Sequence, residues 1–326
     1  MQILIILPNW LGDAIMATPA IELLALHYPQ ARFTFVGSYV SIEALKHHPL
    51  CERAIVDETK KAPSRLIATY KLAKELGEFH LALSFRNQLH ASLLLRFTGT
   101  VLSIARSSWH SKLLLSHTPS IKTNQHLVKQ YSQLAMINTD AFDGESPKLR
   151  LYIKPETFTK PTLGINAGAT YGSAKRWYPE KFAEVGASLS EQYEIIIFGG
   201  PNEVEMSKEI EENLIKLDVS NYTNLAGKTN IEELCANIGA CSLFITNDSG
   251  PMHVAAAYGV PTVSIFGPTK HKETSQWSHE KGVMVRHKIE CAPCMKRECP
   301  LKHHECMKLI EAKEVLQAVE SLELKG

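Results

Sequence analysis

Short β-branched runs alternate with helical patterns along this chain, and this alternation restricts its fold more than any other feature. In the first half, the strand-like runs "QILIIL", "RFTFVG", "RAIVD" and "HLALSF" are separated by the helical patterns "DAIMATPAIELLALHY", "SIEALKHH" and "SRLIATYKLAKELGE". Strands that alternate with helices of this length are typical of βαβ units and a parallel sheet.

The alternation restarts after the connector "YIKPETFTKP", with strand-like runs at "TLGINAG", "YEIIIFGG", "SLFITND" and "PTVSIFGP". A chain of 326 residues is long enough for two domains. We therefore predict an α/β protein of two doubly wound, Rossmann-like lobes, residues 1–154 and 155–326. The last helix, "AKEVLQAVESLEL", is assignable to either lobe.

Overall composition limits the kinds of partner that the protein binds and the cellular compartment in which we expect it. A net charge of +1 with 21% charged residues does not indicate a nucleic-acid-binding protein. The start "MQILIILPNW" has a short apolar run without a preceding basic residue, and no stretch reaches about 18 consecutive apolar residues. We expect a cytoplasmic protein, and peripheral contact with the inner face of the cytoplasmic membrane is compatible with this.

The loops that follow the predicted strands are the expected sites of chemistry, because ligands of open α/β sheets bind outside the carboxyl ends of the strands. In the first such loop, "PNWLGDAIMATPA", Gly12 and Asp13 end the turn before a helix. Asp13 has two interpretations: a cap of the following helix, or a general base at the cleft.

Two loops of the second half carry small residues beside charged ones. "NAGATYGSAKRWYPE" contains Asn166, Gly168, Lys175 and Arg176, where small residues permit close backbone approach and the cations neutralise a phosphate or face solvent. "FGGPNEVE" contains Glu203, which either accepts hydrogen bonds from ribose hydroxyls or complements a helix dipole, with Glu205 as the fallback.

The stretch "FITNDSGPMH" turns an apolar strand abruptly into an Ala-rich helix. Its turn-forming residues suit a backbone whose N–H groups face an anion at a helix N-terminus. This predicts an anion site that includes Asp248, Ser249, Gly250, Met252 and His253.

Four cysteines crowd into "CAPCMKRECPLKHHEC" with the spacing C-x2-C-x4-C-x6-C, at Cys291, Cys294, Cys299 and Cys306. A tetrahedral structural zinc site, disulfide or redox chemistry, and unliganded thiols all remain open for this cluster. The adjacent histidines, His303 and His304, do not decide between them.

Three separated motifs carry a resemblance to a known family. "ILPNWLGDAIMATPAIELL", "AGATYGSAKRWYPEKF" and "TNDSGPMHVAAAYGVPTVSIFGPT" resemble, in this order, the heptosyltransferases of glycosyltransferase family 9, and in particular their lipopolysaccharide heptosyltransferase II branch. The resemblance extends over most of the chain. It implies a GT-B fold with the active site in the cleft, and inverting transfer of heptose from ADP-L-glycero-D-manno-heptose to a heptose of the lipopolysaccharide inner core.

The resemblance also implies roles for single residues. Asp13 would take the proton from the acceptor hydroxyl, while Lys175 and the backbone from Ser249 to Met252 would stabilise the departing ADP. The Asp248–Gly250 turn and His253 would hold the diphosphate and sugar. No cofactor is expected in catalysis, since no Asp-x-Asp pair follows a strand. This chain departs from the family pattern by an extra residue, Tyr178, between Trp177 and Pro179.

An acid-free run from Phe79 to Asn138 contains six Arg and Lys residues and five histidines. We predict that Arg86, Arg106 and Lys112 attract the anionic inner-core acceptor, although pairing with carboxylates elsewhere or simple solvation would also account for them. Two other functions stay open: another GT-B enzyme acting on a nucleotide sugar, such as an epimerase, and a two-lobed sugar-binding protein without chemistry.

Overall fold

The chain forms two compact units, Met1–Tyr152 and Ile153–Gly326. They are seen in a computed structural model that describes residues 1–137 and 144–323. Sequence analysis divides the chain after residue 154, two positions later.

Unit 1 is built on a parallel sheet of five strands in the order β3-β2-β1-β4-β5. The strands are β1 (Gln2–Ile6), β2 (Arg32–Gly37), β3 (Cys51–Val56), β4 (Leu81–Ser84) and β5 (Ser103–Ala105). The central strand β1 pairs with both β2 and β4, and its residues from Ile3 to Ile6 have no exposed surface. A strand buried on both faces needs a continuous apolar run, which "ILII" provides.

In the described part of unit 1, seven α-helices connect and cover this sheet. They are α1 (Leu11–Met16), α2 (Thr18–His27), α3 (Tyr39–Leu45), α4 (Arg65–Leu76), α5 (Leu89–Thr98), α6 (Trp109–Leu114) and α7 (Leu127–Ala135). The single helix predicted after β1 is wrong, because the chain forms α1 and α2 with Ala17 between them. Pro19 lies in the first turn of α2, where its missing N–H costs nothing and favours a new helix start.

Unit 2 has a parallel sheet of six strands in the order β11-β10-β9-β6-β7-β8. They are β6 (Thr162–Asn166), β7 (Glu194–Phe198), β8 (Tyr222–Asn224), β9 (Leu243–Asn247), β10 (Thr262–Ile265) and β11 (Gly282–Val285). Its helices are α8 (Pro179–Leu189), α9 (Val204–Lys216), α10 (Ile231–Gly239), α11 (Gly250–Tyr258), α12 (His271–Thr274), α13 (Glu305–Lys308) and α14 (Ala312–Glu323).

The last helix, α14, belongs to unit 2. Its buried Val315 and Val319 lie in the same apolar core as Ile165 and Val263 of the sheet. The core also contains Trp177, which is fully buried and donates its indole N–H to the Ile310 carbonyl at 3.0 Å, just before this helix. In the described ranges, no helix is long and apolar enough to cross a lipid bilayer.

Both sheets have the strand order of a dinucleotide-binding fold. Counted within each unit, the order is 3-2-1-4-5 in unit 1 and 3-2-1-4-5-6 in unit 2. In such sheets the connections reverse direction between the first and fourth strands, and ligands bind at the carboxyl ends of that pair. The topology therefore directs attention to the loops after β1 and β4, and after β6 and β9.

Candidate functional site

The loops after β6 and β9 are joined by one amide at the switch point of unit 2. Asn166, the last residue of β6, is buried, and its Nδ2 lies 3.3 Å from the Gly168 carbonyl oxygen. The same nitrogen lies 3.4 Å from Oγ1 of Thr246 in β9 and 3.3 Å from Oγ of Ser249, two residues after this strand. The Asn166 side chain therefore links the loop after β6 to the loop after β9.

Lys175 and Asp248, one from each of these loops, form an ion pair. Lys175 Nζ lies 2.6 Å from Asp248 Oδ2 and 3.2 Å from the Asp248 carbonyl oxygen. Thr269 donates its hydroxyl to the same carboxylate oxygen at 2.5 Å. Because an ammonium has three hydrogens, Lys175 retains donor capacity beyond this pair. The ammonium also lies 4.9 Å from the centre of the Tyr171 ring.

Helix α11 begins at Gly250, directly after this pair. Ser249 is its N-cap, and the side chain of Ser249 makes no capping hydrogen bond. Gly250 has a helical backbone, so it is not required there by a positive φ. The Met252 side chain is fully buried and its N–H donates to the Ser249 carbonyl, and His253 is also buried. The helix start therefore supplies the predicted dipole and turn, while Met252 and His253 face the interior.

The predicted site residues Gly168 and Glu203 lie next to each other. The sequence did not suggest this contact. A Cβ placed on Gly168 would lie 2.0 Å from Cδ of Glu203, so the carboxylate occupies the space beside this glycine. Glu203 Oε2 accepts from the Gly200 N–H at 2.8 Å, which is a helix-start contact. Glu205 is largely exposed beside Lys208.

Arg176 has a buried Nε without a hydrogen-bond partner among the described residues.

The cysteine-rich segment, residues 291–306, packs against the loop that carries Lys175. The Arg297 carbonyl accepts from the Ala174 N–H at 3.0 Å, and the Met295 carbonyl accepts from the Tyr171 hydroxyl at 2.8 Å. His304 Nε2 lies 3.0 Å from the Ala174 carbonyl oxygen. This segment contains no strand and only the start of the short α13, so it supports the loop mainly through main-chain contacts.

The four predicted zinc ligands, Cys291, Cys294, Cys299 and Cys306, line one small cavity of about 20 Å³ together with His303 and His304. Cys291 Sγ lies 3.9 Å from His303 Nε2, and all seven cysteines of the chain are free thiols. Among residues 1–137 and 144–323, however, no three His, Cys, Asp or Glu side chains are placed to hold a metal ion. The cysteines share a cavity without forming the predicted ligand set.

In unit 1, Asp13 lies in the first turn of α1 and is half-buried. Burial raises the pKa of the Tyr131 phenol well above its ordinary value, and the charge of nearby Asp13 raises it further, whereas Arg106 lowers it. Tyr131 therefore stays protonated near the predicted base. It lies on α7, which sequence analysis did not identify.

The three predicted acceptor cations lie in different environments. Lys112 is exposed on α6, and Arg106 is half-buried with Nη1 3.5 Å from Gln130 Oε1. Arg86 is buried, and its Nη1 lies 3.0 Å from Oδ2 of Asp57 on the β3 side of the sheet. For Arg86 the alternative explanation, pairing with a distant carboxylate, describes the observed contact.

Comparison with known proteins decides the family. The model of glycosyltransferase family 9 (heptosyltransferase) matches residues 69–305. The chain belongs to this family. Membership makes it a glycosyltransferase, as predicted, rather than an epimerase or a binding protein without chemistry.

Relatives of this family 9 glycosyltransferase cover nearly its whole length. A Campylobacter jejuni protein named lipooligosaccharide heptosyltransferase 2 is 38% identical, over 99% of this chain and 98% of the relative. An Escherichia coli protein named lipopolysaccharide heptosyltransferase 2 is 28% identical, over 87% of this chain and 88% of the relative. The solved structure of E. coli ADP-heptose lps heptosyltransferase II matches with a TM-score of 0.82 and 25% identity, covering 100% of this chain and 99% of that one. The predicted GT-B fold is confirmed by this likeness.

Proposed function

We propose that this glycosyltransferase transfers heptose, with inversion, from ADP-L-glycero-D-manno-heptose to a heptose of the lipopolysaccharide or lipooligosaccharide inner core. The observation that carries the proposal is the placement of Lys175 beside the start of α11, at the switch point of a dinucleotide-type sheet. Two relatives named heptosyltransferase 2, matched over most of their length, support the choice of sugar and acceptor.

The donor half of the proposed reaction belongs to unit 2. The diphosphate binds at the N-terminus of α11, where the helix dipole and the N–H groups of the Ser249–Gly250 turn favour an anion. Lys175 donates to the oxygen on which charge develops as the bond between the anomeric carbon and ADP breaks. Asn166, Gly168 and Arg176 border this position, and Glu203 accepts from ribose hydroxyls.

The acceptor half of the proposed reaction belongs to unit 1. An acceptor hydroxyl attacks the anomeric carbon, its oxygen forms the new glycosidic bond, and its proton passes to Asp13. A carboxylate in the first turn of a helix is stabilised in its ionised form by the dipole, as a base requires. Lys112 and Arg106 attract the anionic core to this unit.

We also propose peripheral contact with an anionic membrane through α6. Trp109 and Leu113 on this helix are 70% and 78% exposed, and the exposed Lys112 lies between them. Tryptophan and lysine are the side chains that suit a membrane interface with negative headgroups. Sedimentation with anionic but not neutral vesicles, lost in a Trp109→Ala/Leu113→Ala variant, would support this contact.

A structural zinc ion at the cysteine-rich segment is a separate proposal that concerns stability and not the reaction. The shared cavity of the four thiols supports it, and binding would require rotation of their side chains into a tetrahedral arrangement. Metal analysis of freshly purified protein is the test, and less than about 0.2 equivalents of zinc or iron would reject the proposal.

The transfer assay tests the proposed function directly. The protein is incubated with ADP-heptose and a core acceptor that ends in heptose, with a second acceptor lacking that heptose as the control. Transfer to the first acceptor alone is expected. Equal transfer to both would reject the acceptor assignment, and donor consumption without transfer would reject the proposed reaction.

A further inference from the structure

A buried ion network joins the carboxyl ends of three strands in unit 1. Oδ2 of Asp57, just after β3, lies 3.0 Å from Nη1 of Arg86 and 2.9 Å from Nε2 of His90. Thr59 donates its hydroxyl to Oδ1 at 2.6 Å. The three ionisable side chains are 3% to 8% exposed. Sequence analysis offered the pairing of Arg86 with a carboxylate elsewhere as an alternative, but it did not identify Asp57, Thr59 or His90.

The hydrogen-bond inventory fixes the role of His90. The Thr69 hydroxyl donates to the Arg65 carbonyl at 2.7 Å, and its oxygen lies 3.0 Å from His90 Nδ1. The Asp57 carboxylate only accepts, so Nε2 is a ring nitrogen that carries a hydrogen. His90 is therefore held at both ring nitrogens, and Asp57 faces the Arg86 guanidinium and the His90 ring.

The electrostatics agree with an ionised Asp57. Burial by itself would raise the pKa of this carboxyl, but hydrogen bonds from His90 and Thr59 and the charges of His90 and Arg86 hold it well below its usual range. Buried ion pairs are nevertheless weak contributors to stability, and apolar residues of similar volume often serve as well. Stability alone therefore does not account for this network.

The network is connected to the loop that leads to Asp13. Arg86 donates Nε–H to the Leu7 carbonyl at 2.6 Å. The next two carbonyls are also held by side chains: Ser41 donates to that of Pro8, and Ser38 donates to that of Asn9 at 2.8 Å. Three successive carbonyls ahead of α1 are thus fixed, and the only charged anchor among the three is Arg86.

We propose that the Asp57–Arg86–His90 network positions the catalytic base. Arg86 uses its planar fork to bind the Leu7 carbonyl through Nε and the Asp57 carboxylate through Nη1, which fixes the start of the Asp13 loop relative to β3 and β4. The three residues are positioning residues that act through the backbone. The inference rests on the proposed role of Asp13 as the base.

The test is Arg86→Lys, which keeps the charge beside Asp57 but cannot make both contacts. A displacement of the base by about 1 Å costs roughly 10²-fold in turnover, so we expect kcat to fall by about 10- to 100-fold while ADP affinity changes less than about twofold. Glu22→Gln is the matched control, since Glu22 also accepts from Tyr152 and contacts His48 and Arg150 in unit 1 without touching the loop. The control should keep kcat within about threefold.

A double-mutant cycle separates positioning from general stability. In the Asp13→Asn background, Arg86→Lys should lower kcat by less than about twofold, because a residue that acts only by positioning the base has little effect once the base is removed. An equal fall in kcat in both backgrounds, or a fall that Glu22→Gln matches, would overturn the inference.

If Arg86→Lys does not fold, Ser38→Ala is the substitute, because it removes a neutral anchor of the same loop. It should show the same pattern with a smaller fall in kcat, and an unchanged kcat would count against the inference. If Asp13→Asn alone retains more than about a tenth of turnover, the proposed base fails instead.

Discussion

The loop before Asp13 and the loop that carries Lys175 both follow the first strand of their own sheet, yet they are held in different ways. The first is fixed by side chains, Arg86, Ser41 and Ser38, which bind three consecutive carbonyls. The second also has side-chain contacts, from Asn166 to the Gly168 carbonyl and from His304 to the Ala174 carbonyl. In addition it rests on the main chain of the irregular segment 291–306, through hydrogen bonds to the carbonyls of Arg297 and Met295.

In the proposed reaction the two loops meet different demands. Proton transfer requires a base held within hydrogen-bond reach and in a fixed direction. Stabilising a diphosphate depends mainly on charge and dipole, which tolerate small displacements. We therefore expect changes in the Asp13 loop to lower turnover, and changes in the Lys175 loop to lower donor affinity first.

The largest expected effect is that of Asp13→Asn. Loss of a general base typically costs about 10²- to 10⁴-fold in turnover, while ADP affinity should be nearly kept because the donor contacts lie in unit 2. Steady-state kinetics with saturating donor, together with calorimetry for ADP, measure both quantities. Turnover above about a tenth of the unmodified protein would make Asp13 a helix-start residue only.

Lys175→Ala should have the next largest effect, and on the opposite quantity. A charge-assisted hydrogen bond contributes about 1.5 to 3 kcal/mol, so ADP affinity should fall at least about tenfold. Removing one partner of a buried pair also leaves Asp248 uncompensated and should lower the free energy of unfolding by about 3 kcal/mol. Lys181→Ala is the control, because Lys181 forms an ion pair with Glu311 in the same unit. An ADP affinity that is unchanged by Lys175→Ala would remove this lysine from the donor site.

Gly172→Ala tests the support of the donor loop. A Cβ at this position would lie 2.2 Å from the Arg297 carbonyl oxygen, so either the loop or the cysteine-rich segment must shift. We expect ADP affinity to fall by roughly three- to tenfold, with a smaller change in turnover at saturating donor, since a contact worth about 1 kcal/mol is lost. A variant in which turnover falls and affinity is kept would contradict the distinction between the two loops.

Thiol alkylation tests the same support from the side of the cysteine-rich segment. Burial raises the pKa of Cys235 and Cys241 to about 12, so these thiols should resist iodoacetamide near pH 8. Cys291, Cys294 and Cys299 are only half-buried and should react first. Mass spectrometry identifies the sites, and calorimetry on the alkylated protein should show ADP affinity reduced by a few fold. Early modification of Cys235 would show that the core of unit 2 opens readily.

The smallest effect concerns salt. Exposed cations act through screened attraction, and the Debye length falls from about 14 to 6 Å between about 50 and 300 mM salt. Acceptor KM should rise over this range, and it should also rise when Arg106 and Lys112 are replaced by glutamate, while ADP affinity changes less. A flat acceptor KM would return these residues to an ordinary solvated face.

The sheets were accessible to sequence analysis because their strands are continuous apolar runs. "QILIIL" and "SLFITND" are apolar enough to require burial. In the observed sheets, Asp13 follows the first strand of unit 1 and Asp248 follows the fourth strand of unit 2. The short β5 and β11 and the helices from α5 to α7 were not identified, and β5, with three residues, carries too little pattern to be recognised.

The candidate site was predictable only in its local parts. Motif residues that follow a strand, such as Asn166 and Lys175, do lie at the switch point of unit 2. The partners that come from elsewhere were missed: Thr269 on Asp248, and Asp57 on Arg86. Such pairs form only where particular strand ends become neighbours in the sheet, and a single sequence does not show which strand ends are close in space. Asp57 did carry a signal, since it follows β3 as closely as Asp248 follows β9.

The position of the first sheet along the chain bears on how the protein folds while it is being synthesised. All five strands lie between Gln2 and Ala105, and Asp57, Arg86 and His90 lie within the same stretch. At about 5 to 20 residues per second, the ribosome needs on the order of ten seconds or more to complete unit 2 after this sheet has emerged. The half of the enzyme that carries the proposed base is therefore able to assemble first, and its ion network needs no residue from the half that is made later.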